Sequence, residues 1–231
     1  MWLMSHTDAS PTQEDLDATS STEVPHWEYE GEHGPEAWGA LSEDFAACAE
    51  GLAQSPVDLG SATPSDRLDL TVDYESGPVT IADGTTFELA QMHFHTPSEH
   101  TIGGEFAEAE AHFVHRSAEG EWAVIGVMLI AGDEPNASWG AYTDAAAGGE
   151  GVVVDATLDW PALLPADLTT LRYSGSLTTP PCTEGVRWMV MDEPVALATD
   201  RLAALAAAHE GNHRPVQPLN GREVLADIPA D

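Results

Sequence analysis

His93 and His95 stand two residues apart in the run Gln91-Met92-His93-Phe94-His95. On an extended chain successive side chains point to opposite faces, so both imidazoles project from one face toward a common point. That spacing suits a metal ion. A third imidazole is available from the next strand-like stretch in His112, whose face also carries Glu110 and Val114. Three imidazole ligands match the catalytic Zn2+ pattern, in which a fourth tetrahedral position is left for water. Gln91 and Glu110 share faces with His93 and His112, where an amide oxygen and a carboxylate can accept the distal N–H of a ligand and fix its tautomer. Polar residues in half-buried strands need partners, and a metal site supplies them. The alternative is a pair of solvated or hydrogen-bonded strand histidines, and a His-x-His spacing alone does not separate the two.

The elements that position these groups read as strands. Leu68–Glu75 alternates, Ser76-Gly77-Pro78 turns it into Val79–Ala82, and Asp83-Gly84 is a hairpin signal. In the strand predicted over Thr85–Thr96, strict alternation puts Phe87, Leu89, Gln91, His93 and His95 on one face and Ala90, Met92 and Phe94 on the other. Glu105–Arg116 sets Glu108, Glu110, His112 and Val114 against Ala109, Ala111, Phe113 and His115. Trp122–Ile130 is apolar on both faces and therefore central in its sheet. Arg187–Met191 is a further strand. One helix is predicted, Asp200–His209, with Thr199 as N-cap and Gly211 just beyond its end. No internal repeat is apparent, and the chain reads as a single, mainly β domain with few short helices. Residues 1–24, rich in Ser, Thr, Asp and Glu without apolar periodicity, read as a disordered acidic leader, with the domain over residues 25–231.

Composition excludes some classes of function. The 231 residues hold 40 Asp and Glu against 7 basic residues, all Arg, for a formal charge of −33. Such a surface repels phosphate backbones and anionic headgroups, so no nucleic-acid partner is expected. The longest nearly apolar run, Trp122–Gly132, is too short to span a bilayer. No signal peptide is visible at Met1–His6. Acidic residues run from Asp8 to Asp231, so a tail cannot hold the whole excess. Asp and Glu in place of Lys keep a surface hydrated in molar salt, where the Debye length shrinks to about 3 Å, and the expectation is a halophilic protein.

Taken in order, the motifs resemble those of the alpha-class carbonic anhydrases, especially their bacterial branch. The resemblance rests on Gln91-Met92-His93-Phe94-His95-Thr96-Pro97-Ser98-Glu99-His100, on Ala109-Glu110-Ala111-His112-Phe113-Val114-His115, and on Gly175-Ser176-Leu177-Thr178-Thr179-Pro180-Pro181-Cys182. Supporting matches are Trp27-x-Tyr29 with Gly34-Pro35-x-x-Trp38, Gln54-Ser55-Pro56-Val57-Asp58-Leu59, and Asn212-His213-Arg214-Pro215-Val216-Gln217-Pro218-Leu219-Asn220. It covers roughly His26 to the C-terminus. It implies a large twisted, mostly antiparallel central sheet and reversible hydration of carbon dioxide to bicarbonate by zinc-bound hydroxide.

Carried over residue by residue, the resemblance implies His93, His95 and His112 as zinc ligands with Gln91 and Glu110 behind them. Thr178 becomes the residue that bonds the hydroxide, and Glu99 the buried carboxylate that orients Thr178. Thr179 lies on the substrate side, and Val114, Val124, Leu177, Val186 and Trp188 form the apolar wall where carbon dioxide rests. His100 and His115 match buried structural histidines. Ser55-Pro56 and Pro180-Pro181 match cis bonds. Cys48 and Cys182 match a disulfide common in bacterial members. Two buried free thiols are the alternative, and the bridge points to an extracytoplasmic location, with the cytoplasm of a halophile as the other reading.

The chain departs from the family at one place. Members place a histidine proton shuttle between the Gln-Ser-Pro motif and the His-x-His strand, whereas no histidine lies between Gln54 and Gln91 and the interval looks shortened. Two expectations follow. Proton transfer depends on buffer, with His33 or His6 as substitutes to weigh against plain surface histidines, and an exposed sheet edge invites a homodimer. The rival to an enzyme is a carbonic-anhydrase-like module that has lost catalysis. Such modules generally lose a zinc ligand, and all three histidines are retained.

Overall fold

The computed structural model describes residues 25–66, 70, 72, 79–80, 84–147 and 161–227. The expected leader with His6, the turn at 76–78, the Asp83 half of the hairpin signal and most of the strand expected over Leu68–Glu75 lie outside them.

The described strands are β1 (Thr63–Ser65), β2 (Val79–Thr80), β3 (Thr86–His95), β4 (Thr101–Ile102), β5 (Glu105–Phe106), β6 (Ala109–Arg116), β7 (Trp122–Ala131), β8 (Thr170–Ser176), β9 (Glu184–Met191), β10 (Val195–Leu197) and β11 (Leu225–Asp227). Nine of them form one sheet in the order β1-β11-β8-β9-β7-β6-β3-β2, with β10 also beside β7, while β4 and β5 pair separately. The pairings β3–β6, β6–β7 and β8–β9 are antiparallel, whereas β7–β9, β7–β10 and β1–β11 are parallel. The sheet is thus mixed and mostly antiparallel. The segment expected as one strand over Glu105–Arg116 divides in two, because Phe106 pairs with Thr101 in the small ribbon before the chain enters the large sheet at Ala109.

Apolar residues on β7 decide where the cores sit. Ala123, Ile125, Val127 and Leu129 face one cluster with Ala109, Ala111 and Phe113 of β6, while Val124 and Met128 face the other with Val114. A strand buried on both faces must be central, as its sequence implied. The first cluster is closed by Trp139, Tyr142 and two residues of the helix Thr199–His209, Leu202 and Leu205. That helix begins one residue earlier than expected. Ala198 is the extended residue before it and makes no side-chain cap, and Thr199 lies in the first turn. Burial of Leu202 and Leu205, with Arg201 Nη1 donating to Asp144 Oδ1 at 2.6 Å, holds the helix in place of the cap.

Strict alternation along β3 also fails at one point. The β3–β6 register shifts between Leu89 and Gln91, a β-bulge at Ala90. The extra residue inverts the parity of everything before it. Phe87 and Leu89 therefore pack in the first core beside Met92 and Phe94, and only Gln91, His93 and His95 keep the opposite face.

Three short helical segments, of which Ala47–Glu50 carries Cys48, pack Trp38 and Phe45 under the loop after β8. Cys48 is bonded to Cys182 in that loop, closing a sequence separation of 134 residues. Ser55-Pro56 and Pro180-Pro181 are cis, and so is Thr96-Pro97.

Candidate active site

β3 and β6 bring the three histidines together directly. His93 pairs with His112 across the ladder, and His95 with Glu110. The rings of His93, His95 and His112 have centroid separations of 4.9, 5.1 and 4.6 Å, and one nitrogen from each falls within 4.8 Å of the others. In two of the rings the other nitrogen is hydrogen-bonded, and in the third it faces a carboxylate. His93 Nδ1 lies 2.8 Å from Gln91 Oε1, and His95 Nδ1 lies 2.6 Å from the Asn212 carbonyl. His112 Nε2 lies 3.0 Å from Glu110 Oε1, close enough for charge pairing although poorly aligned. The nitrogens left over are His93 Nε2, His95 Nε2 and His112 Nδ1, and of the six ring nitrogens His95 Nε2 and the Glu110-facing His112 Nε2 are fully buried with no hydrogen-bond partner. A buried ring nitrogen without a partner is costly unless a further group takes it. Burial lowers the pKa of all three, that of His95 to about 4, and neighbouring imidazoles lower His93 further. Neutral rings keep the lone pairs a cation needs.

Glu110 gathers four donors. Its Oε2 accepts the backbone N–H groups of Glu99 and His100, both at 2.9 Å, and its Oε1 accepts His100 Nδ1 at 2.8 Å besides facing His112. Burial pushes this carboxyl up, but the fields of His100 and His112 outweigh it and hold it well below the usual range. A Cβ on Gly126, the β7 residue opposite His112, would meet Glu110 Oε1 at 2.9 Å, so the glycine makes room for the carboxylate. His100 Nε2 meets Tyr173 Oη at 2.7 Å, and that hydroxyl donates to Ser55 Oγ. His100 and His115 are fully buried, as expected.

Glu99 is likewise buried. Burial raises its pKa, opposed by the field of His112 and by hydrogen bonds from the Thr178 hydroxyl and the Arg214 backbone N–H, the latter at 2.8 Å. Its Oε2 lies 3.5 Å from His95 Nε2. Thr178 sits in a loop closed by Leu177 N donating to Thr183 O and Cys182 N to Thr179 O. Gln54 Nε2 donates to Cys182 O, while Arg214 donates to Gln54 Oε1, Ser55 O and Cys48 O. Val114, Val124, Val186 and Trp188 lie buried in the second core with Leu177 packed against it, and the Trp188 ring lies 4.9 Å from that of His112. Thr179 is half-buried beside them in sequence.

Sequence reasoning gave no role to Asn212, Arg214 or Gly126. Asn212 is the most consequential, since its carbonyl holds His95 while its side chain accepts from Thr96 N and donates to Phe94 O. Gly126 did leave a signal, a lone glycine inside an otherwise apolar strand.

Residues 67–228 match the model of the eukaryotic-type carbonic anhydrase family. The chain belongs to the alpha-class carbonic anhydrase family. It is 41% identical over 224 residues to a carbonic anhydrase of Klebsiella pneumoniae, covering 87% of this chain and 90% of that one. It is 36% identical over 230 residues to one of Pectobacterium carotovorum, covering 90% and 93%. Among solved structures, the alpha-carbonic anhydrase of Photobacterium profundum superposes with a TM-score of 0.77 at 40% identity, over 87% of this chain and all of that one. The chain is thus a carbonic anhydrase, and hydration of carbon dioxide is the reaction general to its family, which is generally zinc-dependent.

Proposed function

We propose that this carbonic anhydrase hydrates carbon dioxide reversibly with a zinc ion held by His93 Nε2, His95 Nε2 and His112 Nδ1. The observation that carries the reading is the three-imidazole cluster in which the outward nitrogens of His93 and His95 are hydrogen-bonded, that of His112 faces the Glu110 carboxylate, and His95 Nε2 is buried without a partner. When bound, zinc supplies the Lewis acidity that makes water a nucleophile near neutral pH. The chain's residues do the rest. Gln91, the Asn212 carbonyl and Glu110 hold the three rings in the tautomers that present lone pairs inward. Thr178, donating to Glu99, keeps its own oxygen free to accept from the attacking oxygen, because an ionised carboxylate only accepts. That arrangement turns a lone pair toward the substrate and restricts rotation. Val114, Val124, Leu177, Val186 and Trp188 offer an apolar wall for a substrate with no dipole, and Thr179 bounds it on the substrate side. Stopped-flow hydration by the purified chain and by His95→Ala tests this. Loss of turnover in the variant is expected, and equal rates would overturn the assignment.

Proton release on this reading depends on buffer, since no histidine lies between Gln54 and Gln91. His33 is half-buried against His26 in the N-terminal segment and is the substitute among described residues. The surplus of carboxylates with no Lys supports adaptation to concentrated salt, and the Cys48–Cys182 bond supports folding in an oxidising compartment. No helix among the described residues is long and apolar enough to cross a membrane. Among those residues β3 pairs with β2 only at Phe87 and Thr86, which supports an open edge where a second copy could dock. A monomer by light scattering in molar salt would count against the homodimer.

A further inference from the structure

Three groups of described residues could hold a metal ion, and one of them, His26, Glu28 and His33, has no residue in common with the other two. It is built by the local sequence. From residue 25 to 30 burial alternates, with Trp27 and Tyr29 turned inward against Trp38 and His26, Glu28 and Glu30 turned to solvent. The period of an extended chain thus puts His26 and Glu28 on one face. The chain then reverses through Gly31, whose φ of 72° lies in the left-handed region, and Glu28 N donates to His33 O at 3.0 Å. That closure returns His33 to the same face, its ring edge-on to His26 at 5.8 Å between centroids. Trp38 Nε1 donates to Glu28 O at 2.8 Å and holds the segment from below.

His26 Nε2 already lies 3.1 Å from Glu28 Oε1, and the third ligand atom falls within 4.8 Å of both. Ligands about 2.0–2.1 Å from a tetrahedral ion are about 3.3 Å apart. One edge of the coordination polyhedron is therefore present, and the other ligand atoms come into range by side-chain rotation, since the His26 and Glu28 side chains are 72% and 54% exposed. Two imidazoles and a carboxylate suit Zn2+ and other borderline divalent ions, and water can fill the remaining positions. The formal charge of −33 raises the local concentration of cations.

We infer that His26, Glu28 and His33 form a second divalent-metal site, for Zn2+ or a similar transition ion. Its occupation staples the His33 turn to the N-terminal segment and clamps Trp27 and Tyr29 onto Trp38. The inference does not depend on the three-histidine reading, and while the ion is bound His33 does not serve as the proton-relay substitute.

Metal-free full-length chain is dialysed against micromolar Zn2+ and the bound metal counted. Two ions per chain are expected for the wild type, one for His26→Ala/His33→Ala, and one for His93→Ala/His95→Ala. Since altering even an outer partner of a ligand weakens metal binding about 10- to 100-fold, Glu28→Gln should weaken the second ion at least about tenfold. Amide hydrogen exchange over residues 26–34 should slow on adding Zn2+ to the wild type but not to His26→Ala/His33→Ala. One ion in the wild type that is lost in His93→Ala/His95→Ala, two in His26→Ala/His33→Ala, or no change in exchange would overturn the site. One ion in the wild type that persists in His93→Ala/His95→Ala and is lost in His26→Ala/His33→Ala would instead count against the three-histidine assignment.

Discussion

Replacing Glu110 by Gln removes one charge and almost no volume, yet the geometry requires a large effect. The carboxylate faces four donors: Glu99 N and His100 N on Oε2, His100 Nδ1 and His112 Nε2 on Oε1. An ionised carboxylate has acceptor sites for all four, whereas a glutamine keeps one oxygen and adds two donors. With the amide oxygen over the two backbone N–H groups, the NH2 meets His100 and His112, so both rings must present an acceptor there. His112 then carries its proton on Nδ1, the nitrogen proposed to face zinc, and cannot ligate without a tautomer change. Outer partners of this kind typically account for about 10- to 100-fold in metal affinity, or about 1.4–2.7 kcal/mol. Zinc affinity measured by competition with a chelator should fall by that factor, with near-ultraviolet circular dichroism confirming a folded chain. Affinity within twofold of the wild type would refute the argument that Glu110 sets the His112 tautomer.

Other expectations follow from single features. Cys48→Ser/Cys182→Ser releases a loop of 134 residues and should lower the urea unfolding free energy by up to about 5 kcal/mol, and an unchanged midpoint would exclude a stabilising bridge. Burial lowers the pKa of His115 to about 4, against about 6.5 in an unfolded chain. The unfolded state therefore binds the extra proton first, and stability present at neutral pH is lost as pH falls from about 6.5 toward 4. Between pH 7 and pH 5 the loss traceable to His115 is about 2 kcal/mol. A His115→Gln variant should show that much less acid sensitivity, and an equal slope in both proteins would contradict it. Hydration rates should rise with imidazole buffer concentration, and independence would point to a shuttle within the chain. Unfolding should be harder in molar salt than in dilute buffer, and equal stability would remove the halophilic reading.

The three-histidine cluster was legible because such a cluster shows itself in side-chain types, and two strands with a period of two bring His93, His95 and His112 together. Val114, Val124, Val186 and Trp188 followed from the family resemblance and fall in one core. The bulge at Ala90 was not legible, since nothing about an alanine marks the extra residue and only the register against β6 shows it. The partner of His95 was hidden for another reason: it is a backbone carbonyl, and every residue has one. Arg214 is similar, reaching Glu99 through its main-chain N–H while its guanidinium ties down Gln54, Ser55 and Cys48. The helix start moved by one residue because burial of Leu202 and Leu205, not the capping hydroxyl, fixes where that helix lies.

The central claim is that turnover requires one zinc ion on His93, His95 and His112. Titrating metal-free chain with Zn2+ while following carbon dioxide hydration tests it most directly. The rate should rise in proportion to the ion bound at the three-histidine site and saturate when that site is full, with His95→Ala flat throughout. Turnover by the metal-free chain, or full zinc loading of that site without turnover, would contradict the account.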